Sequence, residues 1–203
     1  DAKLLHWTKQ IQAPEIVGQW VGAEMAKRLD PAPSKITVVN DTVATLLAAK
    51  ATEGDKTYSS YLGFILGTGT NVAYVQKTSG IAKLPAGDYK PEMIINAESG
   101  GFDKIARSRF DEAMDAKQID PGHNPFEKMI AGGYLGPVGL ELYKAAAKEG
   151  FFSKAAADRL SGLAALETID FDNFTAGFRK EGRDNPLDAI FADETDAKMA
   201  RRL

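Results

Sequence analysis

Apolar positions first recur at helical spacing near the start of the chain. Val17, Val21 and Met25 fall at i, i+4 and i+8, flanked by Ile16 and Trp20, which predicts a helix from residue 14 or 15 to residue 29. Pro14 suits its first turn, Lys27 and Arg28 its last, and Asp30-Pro31-Ala32-Pro33 stops it. The β-branched run at 35–39 predicts a strand that ends at Asn40-Asp41-Thr42. Residues 43–50, with Leu46 and Leu47, then predict a helix. Two apolar runs, 61–66 and 71–75, flank Gly67-Thr68-Gly69-Thr70 and predict a hairpin. A further short strand is predicted at 93–96.

After Asp103 the pattern turns helical. Residues 105–117 place Ala106, Phe110 and Ala113 or Met114 on one face, and Asn124-Pro125 opens another helix through Ile130. Helical character continues over 139–149 and 152–165. The last thirty residues are charged, carry Gly177, Gly182 and Pro186, and show weak periodicity. No internal repeat is present. A mixed α/β layer followed by a helical tail places the chain in the α/β class.

Composition narrows the chemistry. The 203 residues are 44% hydrophobic with a net charge of −3, acids and bases interspersed. Without a basic stripe, nucleic acid and anionic membranes are poor partners. There is no cysteine, and His6 and His123 are the only histidines, so disulfides and thiolate metal sites are out and a histidine-rich zinc site is disfavoured. No apolar run approaches the roughly 20 residues of a membrane span. A cytoplasmic enzyme or binding domain fits.

Four groups of residues could carry chemistry. Asp41, at a strand end before a helix, is placed as a general base, but the same triplet is a good helix cap. Gly67, Thr68, Gly69 and Thr70 could bring backbone N–H groups and hydroxyls to a phosphate, or simply form a hairpin turn that needs glycine. The turn is neither a P-loop nor a dinucleotide fingerprint. Glu98 and Glu127, with Asn40 and Asn71, could clamp vicinal hydroxyls of a sugar. Alternatively Glu98 is a strand-end surface residue and Glu127 closes a capping box with Asn124. Thr8 and Lys9, after Trp7, could donate to sugar hydroxyls or face solvent. No role is assigned to His6 or His123.

In order and spacing these segments resemble the hexokinases of the actin-like ATPase superfamily. Leu5-His-Trp-Thr-Lys9 is similar to the family's sugar-binding segment, and Val39-Asn-Asp-Thr-Val-Ala-Thr45 to the segment carrying the catalytic Asp. Leu62-Gly-Phe-Ile-Leu-Gly-Thr-Gly-Thr-Asn71 resembles the second phosphate-binding segment with its sugar-contacting Asn. Ile95-Asn-Ala-Glu-Ser-Gly-Gly-Phe102 and Asp120-Pro-Gly-His-Asn-Pro-Phe-Glu-Lys-Met-Ile130 resemble the two segments that each carry a sugar-binding Glu. The resemblance runs from about Leu4 to about Leu163.

The resemblance implies a ribonuclease H-like, actin-like ATPase lobe with a mixed sheet, flanking helices and a C-terminal helical segment. It implies ATP-dependent phosphorylation of a hexose, glucose first, at the 6-hydroxyl. Asp41 would be the base. Thr8, Lys9, Asn40, Asn71, Glu98 and Glu127 would hold the sugar, and Gly67 to Thr70 the ATP phosphates, with Mg²⁺ arriving on the nucleotide. Gln10, and Ser99-Gly100-Gly101 in place of a common Trp-Gly-Ala, depart from the family near the hexose. The family's upstream phosphate loop and downstream adenosine segment are not among these residues. The expectation is therefore a hexokinase fragment, mostly the C-terminal large lobe, led by a segment at 1–34 from the small lobe. It would be inactive alone, with the remainder of its parent chain as partner. The competing expectation is a non-catalytic hexose-binding regulator on the same fold.

Overall fold

The first apolar stripe does not make one helix. In a computed structural model, which describes residues 1–5, 13–52, 54, 58–177 and 184–203, a 3-10 turn at Pro14–Ile16 is separated from helix α1 (Val21–Ala26). The chain's first residues claim the intervening backbone groups. Leu4 N–H donates to Gln19, Gly18 N–H to Leu4 and Val21 N–H to Ala2. Gly18 takes a left-handed φ of 86° to make the bend. Asp1 then caps α1, accepting from Gly22 and Ala23 N–H at 2.7 and 3.0 Å. Val17, Trp20 and Met25 stay exposed.

The strand expected at 35–39 is absent as well. Those residues pair with no strand among the described residues, and Val38 and Val39 are exposed. β-branched residues favour a pleated surface, but a strand needs a hydrogen-bonded neighbour. Helix α2 (Asp41–Ala51) follows directly.

The hairpin forms as its pattern predicts. Strand β1 (Leu62–Leu66) and strand β2 (Thr70–Lys77) pair antiparallel, with Leu66 opposite Thr70 and Gly63 opposite Ala73. Strand β3 (Glu92–Asn96) lies antiparallel on the other edge of β2, with Asn96 opposite Ala73. Helix α2 packs across β1 and β2, burying Leu46 and Thr42 over the Gly63–Ala73 pair. This sheet with flanking helices gives the α/β class expected from the sequence.

The rest is helical: α3 (Arg109–Asp115), α4 (Pro125–Ile130), α5 (Leu135–Lys148), α6 (Lys154–Ser161), α7 (Thr168–Ala176), α8 (Pro186–Ile190) and α9 (Glu194–Ala200). Helix α3 starts at 109, not 105, because Ser108 and Asp111 form a capping box there. Helix α5 begins before Gly139, and both its glycines are contact points. A Cβ on Gly136 would meet the Leu166 carbonyl at 2.5 Å, and one on Gly139 the Phe171 ring at 2.5 Å, so α7 lies against bare backbone. The core centres on Tyr143, which is fully buried and ringed by Phe152, Phe171 and Phe191 at centroid distances of 6.2, 5.8 and 5.2 Å. Its hydroxyl donates to the Ala200 carbonyl at 3.2 Å. Burial pushes that phenol up to about 12, with Arg201 opposing. The weakly periodic tail thus supplies Phe174, Leu187, Ile190, Phe191 and Ala200 to the core.

Candidate functional site

Two residue types compete for the start of α2, and both find a place. Asn40 is the cap, its side chain accepting from Thr42 N–H at 2.9 Å. Asp41 is therefore the first helical residue. Its carboxylate accepts from Thr42 N–H at 2.8 Å through one oxygen, and its side chain is exposed. Capping by Asn40 leaves Asp41 available for chemistry. The pair is held over the hairpin because Thr42 and Leu46 seat α2 on Gly63.

A second cluster forms where β2 and β3 meet. Asn71 Nδ2 donates to Asn96 Oδ1 at 2.7 Å and to Glu98 Oε1 at 3.4 Å. Asn96 Nδ2 donates to the same Glu98 oxygen at 2.7 Å. Asn71 Oδ1 accepts from the N–H groups of Val72 and Ser99 at 2.7 and 3.2 Å, which fixes its amide. Glu98 has a left-handed backbone, φ 49° and ψ 48°, and is exposed at the site. It is thus bonded into the cluster.

Glu127 joins the sugar candidates to the phosphate candidates. Its Oε2 accepts from Thr70 N–H at 2.9 Å, across 57 residues of sequence. Asn124 makes no side-chain cap bond, so the capping-box reading of Glu127 is replaced by this longer-range one. Gly100 lets α4 approach: a Cβ there would stand 3.0 Å from the Glu127 Cβ and 3.2 Å from the Thr70 carbonyl.

The turn itself is braced from three sides. Gly67 N–H donates to Gly69 O at 2.9 Å, Gly132 N–H to Gly67 O at 2.7 Å and Gly133 N–H to Thr68 O at 3.3 Å. Thr70 Oγ1 donates to the Ile65 carbonyl at 3.0 Å. Thr70, 5% exposed, spends its N–H and its hydroxyl on the protein, so it supports the turn. Gly67 borders open space, with no atom within 4 Å of a Cβ built on it. Beside the turn's support lies an open pocket of about 470 Å³ lined by Gly132, Gly133, Pro137, Glu167, Thr168 and Ile169, among others. Thr168 Oγ1 accepts from Gly136 N–H at 2.8 Å.

Behind Glu127, the next residue anchors α4. Lys128 is 1% exposed. Its Nζ donates to Asp115 Oδ1 at 2.7 Å and to the Asp120 carbonyl at 2.8 Å, and pairs with the Asp120 carboxylate at 3.1 Å. Asp115 also accepts from Arg107 Nη2 at 2.7 Å and Gly122 N–H at 3.0 Å. Burial works against the charge on both groups. The hydrogen bonds outweigh it, holding the Asp115 carboxyl below and the Lys128 ammonium above their ordinary values. Burial, and the charges of Glu127 and Asp120, raise the Tyr134 phenol in the same neighbourhood.

Asn71, Glu98, Glu127 and Thr70 are therefore brought together, and Asn40 and Asp41 are seated on the same hairpin. Among the described residues no hydrogen bond joins Asp41 to that cluster. Thr8 and Lys9 lie outside the described residues. Sequence reasoning assigned no role to Asn96, Lys128, Gly132, Gly133 or Thr168. Asn96 had a signal: two residues before Glu98 at a strand end, it projects to the same side. Among the described residues no group of three acidic or histidine side chains is arranged to hold a metal ion, and no helix is long and apolar enough to cross a membrane.

This geometry has known counterparts. A family model described as Hexokinase matches residues 61–185. The chain is 38% identical over 148 residues to a glucokinase of Aspergillus niger, covering 66% of this chain and 30% of that protein. It is 36% identical over 174 residues to hexokinase-1 of Nicotiana tabacum, covering 82% and 34%. Among solved structures, the hexokinase of Schistosoma mansoni complexed with glucose aligns with a TM-score of 0.72 and 28% identity, over 98% of this chain and 47% of that one. The chain spans about a third of the length of the curated relatives it matches. With the family model covering more than half of its residues and the fold shared throughout, this chain belongs to the hexokinase family.

Proposed function

We propose that the protein carrying this chain transfers the γ-phosphoryl group of ATP to the 6-hydroxyl of a hexose, glucose being the first candidate. The observation that carries the reading is the bond from Thr70 N–H to Glu127 Oε2, which ties a carboxylate suited to sugar hydroxyls directly to a glycine-rich turn suited to phosphates. In this reading the sugar-holding and phosphate-holding groups adjoin at that bond.

In this reading Asp41 accepts the proton of the 6-hydroxyl as its oxygen attacks the γ-phosphorus. The bond from phosphorus to the β,γ-bridging oxygen breaks, and ADP leaves. Thr8, Lys9, Asn40, Asn71, Glu98 and Glu127 hold the hexose so that one hydroxyl faces the phosphate. Gly67, Thr68 and Gly69 take the phosphates, with Thr70 bracing them, and the pocket beside Gly133 and Thr168 takes more of the nucleotide. The open face of Gly67 leaves room for a phosphate chain, while Gly132 and Gly133 hold the turn from behind through its own carbonyls. Mg²⁺, bound on the nucleotide with mostly water ligands, would supply charge neutralisation.

The 203 residues are proposed as a part of the catalytic domain, mostly its large lobe, with residues 1–34 leading in from the small lobe and the rest of the parent chain completing the site. The cytoplasm is the proposed compartment, although one tobacco relative carries "chloroplastic" in its name.

Hexose-dependent ADP release by the full-length protein, wild type against Asp41→Asn, tests the reading across a hexose panel. The expected result is turnover by the wild type and a fall of about 100-fold or more in the variant, with sugar binding retained. A wild type that binds hexose and releases no ADP would replace the kinase reading with that of a hexose-binding regulator.

A further inference from the structure

We propose that Asn96 is a positioning residue of the hexose site, holding Glu98 by one carboxylate oxygen so that the other is presented to a sugar hydroxyl. The inference rests on the proposed hexose reading and adds to it a residue and a division of labour between atoms.

The hydrogen-bond inventory sets that division. A primary amide has two donor hydrogens and two acceptor lone pairs. Asn71 Oδ1 accepts twice, from Val72 and Ser99 N–H. Its Nδ2 gives one hydrogen to Asn96 Oδ1 at 2.7 Å, leaving only the 3.4 Å contact with Glu98 to exchange for a sugar oxygen. Asn96 therefore fixes which hydrogen of Asn71 faces the site. On its other side Asn96 Nδ2 holds Glu98 Oε1 at 2.7 Å. Both amides act on Oε1, so Oε2 is the oxygen left for a ligand hydroxyl. The left-handed backbone of Glu98 is a conformation that a glutamate keeps only when neighbours hold it. Asn96 supplies that hold from the end of β3, a rigid element paired with β2. Because Asn96 is itself exposed, it can be changed with little effect on the core.

Asn96→Asp in the full-length protein is the test. The isostere keeps the acceptor for Asn71 and replaces the donor to Glu98 with a like charge. Hexose KM is expected to rise about tenfold or more, with ATP KM and melting temperature unchanged. In a Glu98→Gln background the same substitution should cost little, because an Asp at 96 can accept from the Gln amide. Equal costs in both backgrounds, or a hexose KM that does not move, would overturn the inference while leaving the hexose reading intact. A wild type with no hexose-dependent response would remove the reading itself, and this inference with it.

Discussion

A Cβ placed on Gly63 would stand 2.3 Å from the carbonyl oxygen of Thr42, the residue that follows Asp41. The first turn of α2 thus rests directly on the β1 backbone, and the position of Asp41 depends on there being no side chain beneath it. Gly63→Ala forces the helix and strand apart. Overpacking of this kind costs about 1–3 kcal/mol, and a shift of about 1 Å at a catalytic group can cost about 100-fold in rate. Urea denaturation and kcat, measured together, should both fall. An unchanged kcat would show that Asp41 is positioned by something else.

Glu127 is bonded to the glycine-rich turn, so under the proposed function its loss should be felt at both substrates. Glu127→Ala removes the proposed sugar acceptor and leaves Thr70 N–H without its partner, in a residue only 5% exposed. Such an orphaned donor costs about 1–3 kcal/mol. Hexose KM is expected to rise about 100-fold and ATP KM several-fold. Glu98→Ala, which has no bond to the turn among those described, should raise only hexose KM. Steady-state kinetics with each substrate varied separate the two; identical patterns would mean that the Glu127–Thr70 link carries no coupling.

Gly133 brings the reverse case, a change felt by nucleotide alone. A Cβ there would sit 2.7 Å from the Thr68 carbonyl, so Gly133→Ala pushes on the turn at Thr68, while Glu127 holds it at Thr70. ATP KM should rise about tenfold. Hexose affinity, read by intrinsic tryptophan fluorescence or calorimetry, should stay within twofold. A loss of hexose affinity of the same size would place Gly133 in the sugar site.

How much of this was legible depended on whether a contact is local. The hairpin was readable because alternating apolar runs and a Gly-Thr-Gly-Thr turn encode a two-strand unit by themselves. The helix stripe at 14–29 misled because Ala2 and Leu4 take the backbone partners that a continuous helix would need. The β-branched run at 35–39 had no strand to pair with among the described residues. In the tail, Phe174, Leu187 and Phe191 are split among short helices by Gly177 and Pro186, so no single helix shows a period although together they close the core. At the site, Asp41, Glu98 and Glu127 were marked by their segments. The bonds that make Asn40 the cap and tie Glu127 to Thr70 instead of Asn124 appear only once the segments are in space. Lys128 was invisible, since a lysine in sequence reads as surface.

That lysine gives the protein a defined response to acid. Asp115 is ionised and its carboxyl lies below the ordinary 3.8, because Lys128, Arg107 and Gly122 donate to it more strongly than burial opposes it. A group whose value is depressed by folding stabilises the fold above its unfolded value, and that contribution is lost as pH falls through the folded one. Lys128 lies above the ordinary 10.5, so its contribution is complete below that and fades only in strong base. The network is therefore fully effective from about pH 5 to about pH 9, and acid is the side on which it fails. Lys128→Met leaves Asp115 buried with one cation fewer, at a cost of about 3 kcal/mol at pH 7. Protonating Asp115 removes the charge that the variant strands, so the gap between wild type and variant should shrink as pH drops below 3.8. Urea midpoints at pH 7, 5 and 3 measure this directly. A gap that stays constant across that range would mean that the pair stabilises α4 by packing and not by charge, and that Glu127 is held in place by the same packing.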